Sequence, residues 1–250
     1  MSSPVALITG SSKKRVGRAV AEDLAKRGYA IALHYHTSRA EGEKLVGELR
    51  GRGVSAECFR ADLRNEGDVR RMVEGVFERF GRVDVLVNAA AIWNPKPLEE
   101  VTATDVREHF ETNTLGTFLC AQQVGLRMVM QKEGGCIINI GDWAIERPYL
   151  NYGAYFPSKG AIPTLTRSLA VELGTRNPKV RVNCILPGPV MLPEEMSAAE
   201  KEKVIAQTLV KREGSPEHVA HAVRFLIENE FVTGISLPVD GGRTIYAPEG

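Results

Sequence analysis

Val5-Ala6-Leu7-Ile8-Thr9-Gly10-Ser11-Ser12-Lys13-Lys14-Arg15-Val16-Gly17-Arg18-Ala19-Val20-Ala21 is the stretch from which the rest of the chain is read. Its first five residues are apolar or β-branched on successive positions, as in a strand buried on both faces. A glycine turn follows, and a helical pattern opens at Gly17. Such a turn presents backbone N–H groups and the positive end of a helix to an anion. Gly10, Ser12, Lys14, Arg15, Val16 and Gly17 are therefore expected at a pyrophosphate. Two glycines alone would also suit an ordinary β-to-α turn, so the reading rests on what the rest of the chain does.

Working outward, six more runs rich in Val, Ile, Leu and Ala recur roughly every 25 residues: Ala30 to Tyr35, Ala56 to Arg60, Val83 to Val87, Cys136 to Ile140, Val180 to Ile185 and Ile235 to Val239. Continuous rather than alternating apolar character predicts strands covered on both sides by helices, hence a parallel sheet. Helical patterns fill the gaps at Gly17 to Arg27, Ala40 to Gly51, Glu66 to Phe80, Thr104 to Met130, Ala154 to Leu173 and Glu217 to Glu228, with Asn65 and Ser215-Pro216 placed as caps. The expectation is an α/β chain with a doubly wound Rossmann-type fold, a seven-stranded parallel sheet and helices on both faces. No linker composition divides it, so residues 1–250 are read as one dinucleotide-binding and catalytic domain. The least regular stretch, residues 186–214, carries Pro187, Pro189 and Pro193 and a charged helical patch, and is read as a mobile substrate lid.

Composition narrows the function classes. At 43% hydrophobic and 25% charged the chain is ordinary for a globular domain. A formal charge of +1 gives no field to hold a nucleic acid. The apolar runs fall far short of the roughly 20 residues that cross a bilayer. Met1-Ser2-Ser3-Pro4 passes into the first strand without a basic segment and apolar stretch, so no leader is expected and the cytoplasm is the expected location. Cys58, Cys120, Cys136 and Cys184 are scattered among apolar neighbours, which predicts small core residues and no disulfide, zinc or other metal.

The second strand runs through Leu33-His34-Tyr35 into His36-Thr37-Ser38-Arg39. A site of NAD type wants a carboxylate there for the ribose hydroxyls. This sequence offers donors instead, and Lys13, Lys14 and Arg15 face the same corner. The charge balance predicts NADPH/NADP, with His36, Thr37 and Ser38 near the 2′-phosphate.

With these residues in view, the chain resembles the short-chain dehydrogenase/reductase family over nearly its whole length. Thr9-Gly10 through Gly17 is similar to the family's glycine motif, and Asp62-Leu63 to the pair bordering the adenine. Asn88-Ala89-Ala90 falls on the segment after the fourth strand, and Asn113 on the catalytic asparagine. Tyr155-Phe156-Pro157-Ser158-Lys159 is the Tyr-x-x-x-Lys motif; Pro187, Gly188 and Val190 follow the sixth strand, and Val239-Asp240-Gly241-Gly242 closes the seventh. Tyr155 and Lys159, four apart, share a helix face. That spacing puts an ammonium near the phenol and predicts that its pKa falls below the usual 10 or so, making Tyr155 a proton donor near neutrality. The resemblance implies that Lys159 also binds the nicotinamide ribose and that Asn113 holds a relay water. It also implies a homotetramer built on the long helices and the C-terminal segment.

The chain departs from the family thirteen residues before the tyrosine, where Asp142 replaces the usual serine. An ionised carboxylate cannot donate to a substrate carbonyl, but it can assist proton delivery to a ring nitrogen or bind an amino-substituted heterocycle. In this the chain resembles the pteridine reductase-like subgroup, as it does in Lys14-Arg15-Val16-Gly17, His34-Tyr35-His36 and Trp93. Trp93, Asp142, Trp143, Tyr149 and Tyr155 are the expected substrate contacts; Tyr149 and Tyr152 lack a lysine four residues on and are read as packing or pocket-lining. The loop from Gly10 to Gly17 is one residue longer than the family's, while Ala89 and Ala91 replace polar residues. The expected activity is NADPH-dependent reduction of a C=O or C=N bond in a small molecule, possible substrates being pterin- or folate-like rings. A general carbonyl or 3-oxoacyl thioester reductase and a non-catalytic dinucleotide binder stay open.

Overall fold

The computed structural model describes residues 3–247. Its first half alternates β1 (Val5–Thr9), α1 (Val16–Ala25), β2 (Ala30–Tyr35), α2 (Arg39–Arg50), β3 (Ala56–Arg60), α3 (Glu66–Phe80) and β4 (Val85–Asn88). The second half holds α4 (Ala103–His109), α5 (Gly116–Val129), β5 (Gly135–Ile140), α6 (Tyr155–Gly174), β6 (Val180–Pro187), α7 (Ala198–Ala206), α8 (Pro216–Glu228) and β7 (Ser236–Val239). The strands form one seven-stranded sheet in the order β3-β2-β1-β4-β5-β6-β7, every neighbouring pair parallel. This is the doubly wound Rossmann-type architecture expected from the sequence.

Successive strand residues feed opposite cores. Ala6 and Ile8 of β1 pack with Leu24, Leu45 and Leu226 on one face, while Leu7 packs with Val73, Val124 and Leu173 on the other. Full burial on both faces explains why the strands read as continuous apolar runs. Asn65 caps α3 by accepting from the Asp68 N–H at 3.0 Å, and Ser215-Pro216 opens α8. The stretch from 186 to 214 contains α7, started by a capping box between Ser197 and Glu200.

One expectation changes here. The helix read from Thr104 to Met130 is interrupted by a wide turn of π-helix at Phe110–Leu115. Inside that turn the Asn113 side chain accepts the Ile92 N–H at 2.8 Å and donates to the Ile92 carbonyl at 3.1 Å. A long-range bond of this kind is invisible to local periodicity, and single π turns of this sort gather at functional sites. Pro163, a residue that lacks the N–H an interior helical position uses, lies within α6, which continues to Gly174; nothing in the structure explains its presence.

The strand order reverses beside β1, which pairs with β2 on one side and β4 on the other. Carboxyl ends of strands at such a switch point form a crevice. Thr9 stands opposite Asn88 there, so the glycine turn after β1 and the alanines after β4 meet across the crevice.

Candidate active site

Gly10 opens the crevice with φ of 62°, a left-handed conformation that favours glycine. A Cβ at Gly10 would lie 2.7 Å from the Ala90 Cα, and one at Gly17 would lie 2.9 Å from the Gly10 carbonyl oxygen. Thr9 Oγ1 accepts the N–H groups of both Ala89 and Ala90, at 3.0 and 3.1 Å, which holds the second wall against the first. His34, read from sequence as one of the donors at the end of β2, is instead buried and already engaged. Its Nδ1 accepts the Gly10 N–H at 3.1 Å, so Nε2 carries the hydrogen and donates to the Ala61 carbonyl at 3.1 Å. Burial brings its pKa down to about 4, and the neutral ring pins the glycine loop.

A cavity of about 390 Å³ lies over this loop. Gly10, Ser12 and Arg15 line one side, His36, Thr37 and Ser38 the end of β2, and Asp62, Leu63, Ala89 and Ala90 the rest. Lys13 lines it too, whereas Lys14, Val16, Gly17 and Asn88 do not. Val16 and Gly17 begin α1 behind the loop. Ser12 and Ser38 join their hydroxyls at 2.8 Å. Asp62 is held down to about 2, chiefly by the Arg64 guanidinium that binds it at 2.7 Å. Arg64, Ile92, Glu108 and Thr112 line the cavity without having been expected; they converge from separate elements and carry no local signature.

These residues fit a dinucleotide. The turn leaves room for backbone only, Lys13, Arg15 and His36 line the cavity together with Arg64, and the buried Asn88 Oδ1 lacks a partner among the described residues. The Asn88 amide instead donates to Asn139 at 3.0 Å, tying β4 to β5.

Across the crevice the structure brings together the four residues expected to be catalytic. Asp142 ends the loop after β5 and caps a short turn at Trp143–Ile145, accepting the Ala144 N–H at 2.8 Å on Oδ1. Its Oδ2 accepts the Tyr155 hydroxyl at 2.7 Å. Lys159 is buried one turn along α6, and its ammonium donates to the Ile140 carbonyl at 2.8 Å. Asn113 donates to Ser158 Oγ at 3.0 Å, and Ser158 Oγ donates back to the Tyr155 carbonyl at 2.6 Å. Both amide hydrogens of Asn113 are thus engaged; its Oδ1 already accepts the Ile92 N–H and its backbone carbonyl accepts the Thr117 hydroxyl at 2.8 Å, so a relay water there would share an oxygen that is already bonded.

The expected lowering of the Tyr155 pKa is corrected by this geometry. The phenol lies well above its ordinary value because it is buried and stands against the Asp142 carboxyl. Lys159, which would offset this, points its ammonium at a carbonyl and is itself pushed down by burial. Asp142 is raised, with burial outweighing the bonds from Ala144 and Tyr155. Where a serine would share a neutral hydroxyl, the carboxyl takes the phenol proton into a charge-assisted bond.

A second cavity of about 430 Å³ opens on Tyr155 and Asp142. Trp93 and Tyr152 stack with centroids 5.0 Å apart, and Tyr149 packs edge-on to Tyr152 at 5.1 Å. Trp143 lies 6.5 Å from Tyr149. Gly188 reaches this cavity; a Cβ there would stand 2.5 Å from the Asp240 Cα. Pro187 pairs with Val239 in the sheet, and Val190 is buried nearby without lining this cavity. Met191, Met196 and Val204, from the stretch read as a lid, line the same cavity. Arg243 lines it as well and went unnoticed in the sequence; its only signal is a cation placed directly after Gly241-Gly242. Among the described residues no cluster of His, Cys, Asp or Glu could hold a metal ion.

A doubly wound parallel sheet, a glycine cradle at its switch point and a Tyr–Lys pair on the adjoining helix define an oxidoreductase of Rossmann type. A family model described as Enoyl-(Acyl carrier protein) reductase matches residues 10–244. An uncharacterized oxidoreductase of Methylorubrum extorquens is 35% identical over 245 residues, covering 95% of this chain and 96% of the relative. A 3-oxoacyl-[acyl-carrier-protein] reductase of Staphylococcus aureus is 31% identical over 243 residues, with 95% and 96% covered. Among solved structures, a dehydrogenase/reductase from Sinorhizobium meliloti superposes with a TM-score of 0.88 at 32% identity, covering 97% of this chain and 96% of the other. A blue fluorescent protein from a metagenomic library, in complex with NADPH, gives 0.88 at 34% identity, with 97% and 98% covered. The chain belongs to the short-chain dehydrogenase/reductase family.

Proposed function

We propose that the protein reduces a C=O or C=N bond of a small molecule with NADPH, and that Asp142 turns the site toward nitrogen-containing rings of pterin or folate type. The observation that carries this reading is the 2.7 Å bond from the Tyr155 hydroxyl to Asp142, set in a cavity walled by Trp93, Tyr149 and Tyr152. NADPH is supported by Lys13, Arg15 and His36 around the first cavity, by the absence of a carboxylate at the end of β2, and by the NADPH complex of a solved neighbour. Gly10, Ser12, Arg15, Ala90, Lys159 and Gly188 would hold it, and when bound it supplies the hydride.

The chain's own residues then move the proton. Tyr155 stays protonated because burial and Asp142 disfavour its anion, so it can protonate the substrate atom that develops negative charge. The Asp142 carboxyl, raised by burial, takes up a proton closer to neutrality than an exposed one. Protonated, it donates to the tyrosine oxygen and resupplies the phenol, or donates directly to a ring nitrogen. Lys159 places a buried positive charge behind both groups, fixed by the Ile140 carbonyl.

A second reading, 3-oxoacyl thioester reduction, is favoured by the name of the Staphylococcus aureus relative. NADPH oxidation with dihydrobiopterin and dihydrofolate, beside ketones and a β-ketoacyl thioester, separates the two in wild type and Asp142→Ser. Pterin turnover that the serine variant loses supports the first reading. Turnover of carbonyl compounds alone, with serine tolerated, supports the second. No cofactor oxidation with any of these compounds leaves a dinucleotide binder.

We further infer one catalytic unit with residues 186–214 as its lid. We also infer a homotetramer, supported by exposed Leu126 on α5, Met130 directly after it and Val171 on α6. No described helix is long and apolar enough to cross a membrane, and the four cysteines are free; the free thiols support a cytoplasmic location.

A further inference from the structure

The substrate cavity holds a charged group that the reduction chemistry does not use. Arg243 and Asp142 are the two charged residues lining it. Asp142 is committed to Ala144 and Tyr155. Asp240, three residues before Arg243 in the chain, is spent on its own turn, accepting the Gly242 N–H at 2.9 Å and the Thr244 N–H and hydroxyl at 2.7 Å each. Among the described residues Arg243 consequently has no carboxylate partner. Nη2 donates to the neutral Gln207 amide at 2.7 Å, and Nε is buried without an acceptor.

The guanidinium is nevertheless held in place. Its Cζ lies 4.4 Å over the Trp143 ring, and the backbone that carries it is fixed by Arg147, which donates to the Arg243 main-chain carbonyl at 2.8 Å. A planar fork stacked on an aromatic face, with part of its donor set unused, is prepared for the two oxygens of a carboxylate. Burial and the neighbouring Arg147 both work against its charge, so an arriving anion restores what the lost solvation took.

We propose that Arg243 binds a carboxylate on the substrate, so that the enzyme selects planar conjugated carbonyl or imine compounds that carry an acidic group. The ring lies along the Trp93–Tyr152 wall beneath Met191 and Met196, its reducible bond at Tyr155 and its acidic end at Arg243. This assignment rests on the reading of the second cavity as the substrate site of an NADPH-dependent reductase.

The test uses 4-acetylbenzoate and its methyl ester, which differ only in the acidic group, with wild type, Arg243→Gln and Arg243→Lys. Two readouts are taken: NADPH oxidation, and quenching of the fluorescence of Trp93 and Trp143, the two tryptophans of the chain. Wild type is expected to prefer the acid by about tenfold or more, the ratio falling toward unity in the glutamine variant and partly retained by lysine. Equal handling of acid and ester by wild type, or no quenching by either, overturns the proposal. So does a glutamine variant that keeps the ratio, or one that loses both compounds equally. Should the glutamine variant fail to fold, the wild-type ratio and the lysine variant still decide. Preferential quenching by the acid without NADPH oxidation upholds the carboxylate site and refutes the reductase reading; oxidation with no preference does the reverse.

Discussion

Replacing Asp142 by asparagine keeps the shape of the loop and removes its charge. Asparagine still accepts the Ala144 N–H, now 2.8 Å from Oδ1, and is a good cap for the short turn it opens. What changes is the bond to Tyr155. In the native protein the phenol donates to a carboxylate at 2.7 Å, a charge-assisted bond worth roughly 1.5–3 kcal/mol that exists only while the phenol keeps its proton. In the variant the amide Nδ2 can donate to the phenol oxygen, which favours the phenolate instead. Removing a negative neighbour lowers the pKa of an acid, and at 1.36 kcal/mol per unit the bond corresponds to about 1–2 pH units. Activity requires the protonated phenol and so falls as pH rises through its pKa. The basic limb of the kcat/KM profile should therefore move down by about 1–2 pH units in Asp142→Asn, and absorbance of tyrosinate should follow the same titration. A limb that stays in place or moves upward refutes the claim that Asp142 governs the tyrosine proton.

Three further outcomes follow from the same geometry. Tyr155→Phe should lower kcat by about 10²–10⁴-fold, the usual contribution of a positioned general acid, measured on whichever substrate is turned over. His34 has a folded pKa of about 4 against 6.5 when unperturbed, so the unfolded chain binds the proton first as pH falls. Stability present above pH 6.5 should be lost by about 3 kcal/mol down to pH 4. Urea unfolding at several pH values should show that slope in wild type and lack His34's share of it in His34→Gln. Gly10→Ala forces a left-handed alanine with its Cβ 2.7 Å from the Ala90 Cα. It should cost about 3 kcal/mol in urea unfolding and weaken NADPH binding at least tenfold, read by thermal shift and by cofactor titration.

The legible part of the site is the part set by short-range spacing. The glycine turn after β1, the Tyr155–Lys159 pair and Asp142 each sit at a fixed distance along the chain from a strand or from one another, so spacing alone locates them. Less legible were contacts that depend on where separate elements end. His34 is in the expected strand, yet whether it serves a ligand or the glycine loop depends on Gly10 and Ala61 arriving on either side of it. Lys13 rather than Lys14 lines the first cavity, and which of the two turns inward is set by the path of the folded loop. Arg243 lines the second cavity only because the turn after β7 folds back over Trp143.

The amino-acid sequence by itself determined the doubly wound sheet, since unbroken apolar runs separated by amphipathic helices can be buried in few other ways. It also determined the place of the crevice and the residue types around it. The tertiary structure decided the protonation chemistry. Tyr155 and Lys159 share a helix face in any helix, but burial and the Asp142 carboxyl raise the phenol's pKa while Lys159 is drawn to the Ile140 carbonyl. Desolvation and distance set a proton's affinity, and both are properties of the packed molecule rather than of spacing along the chain.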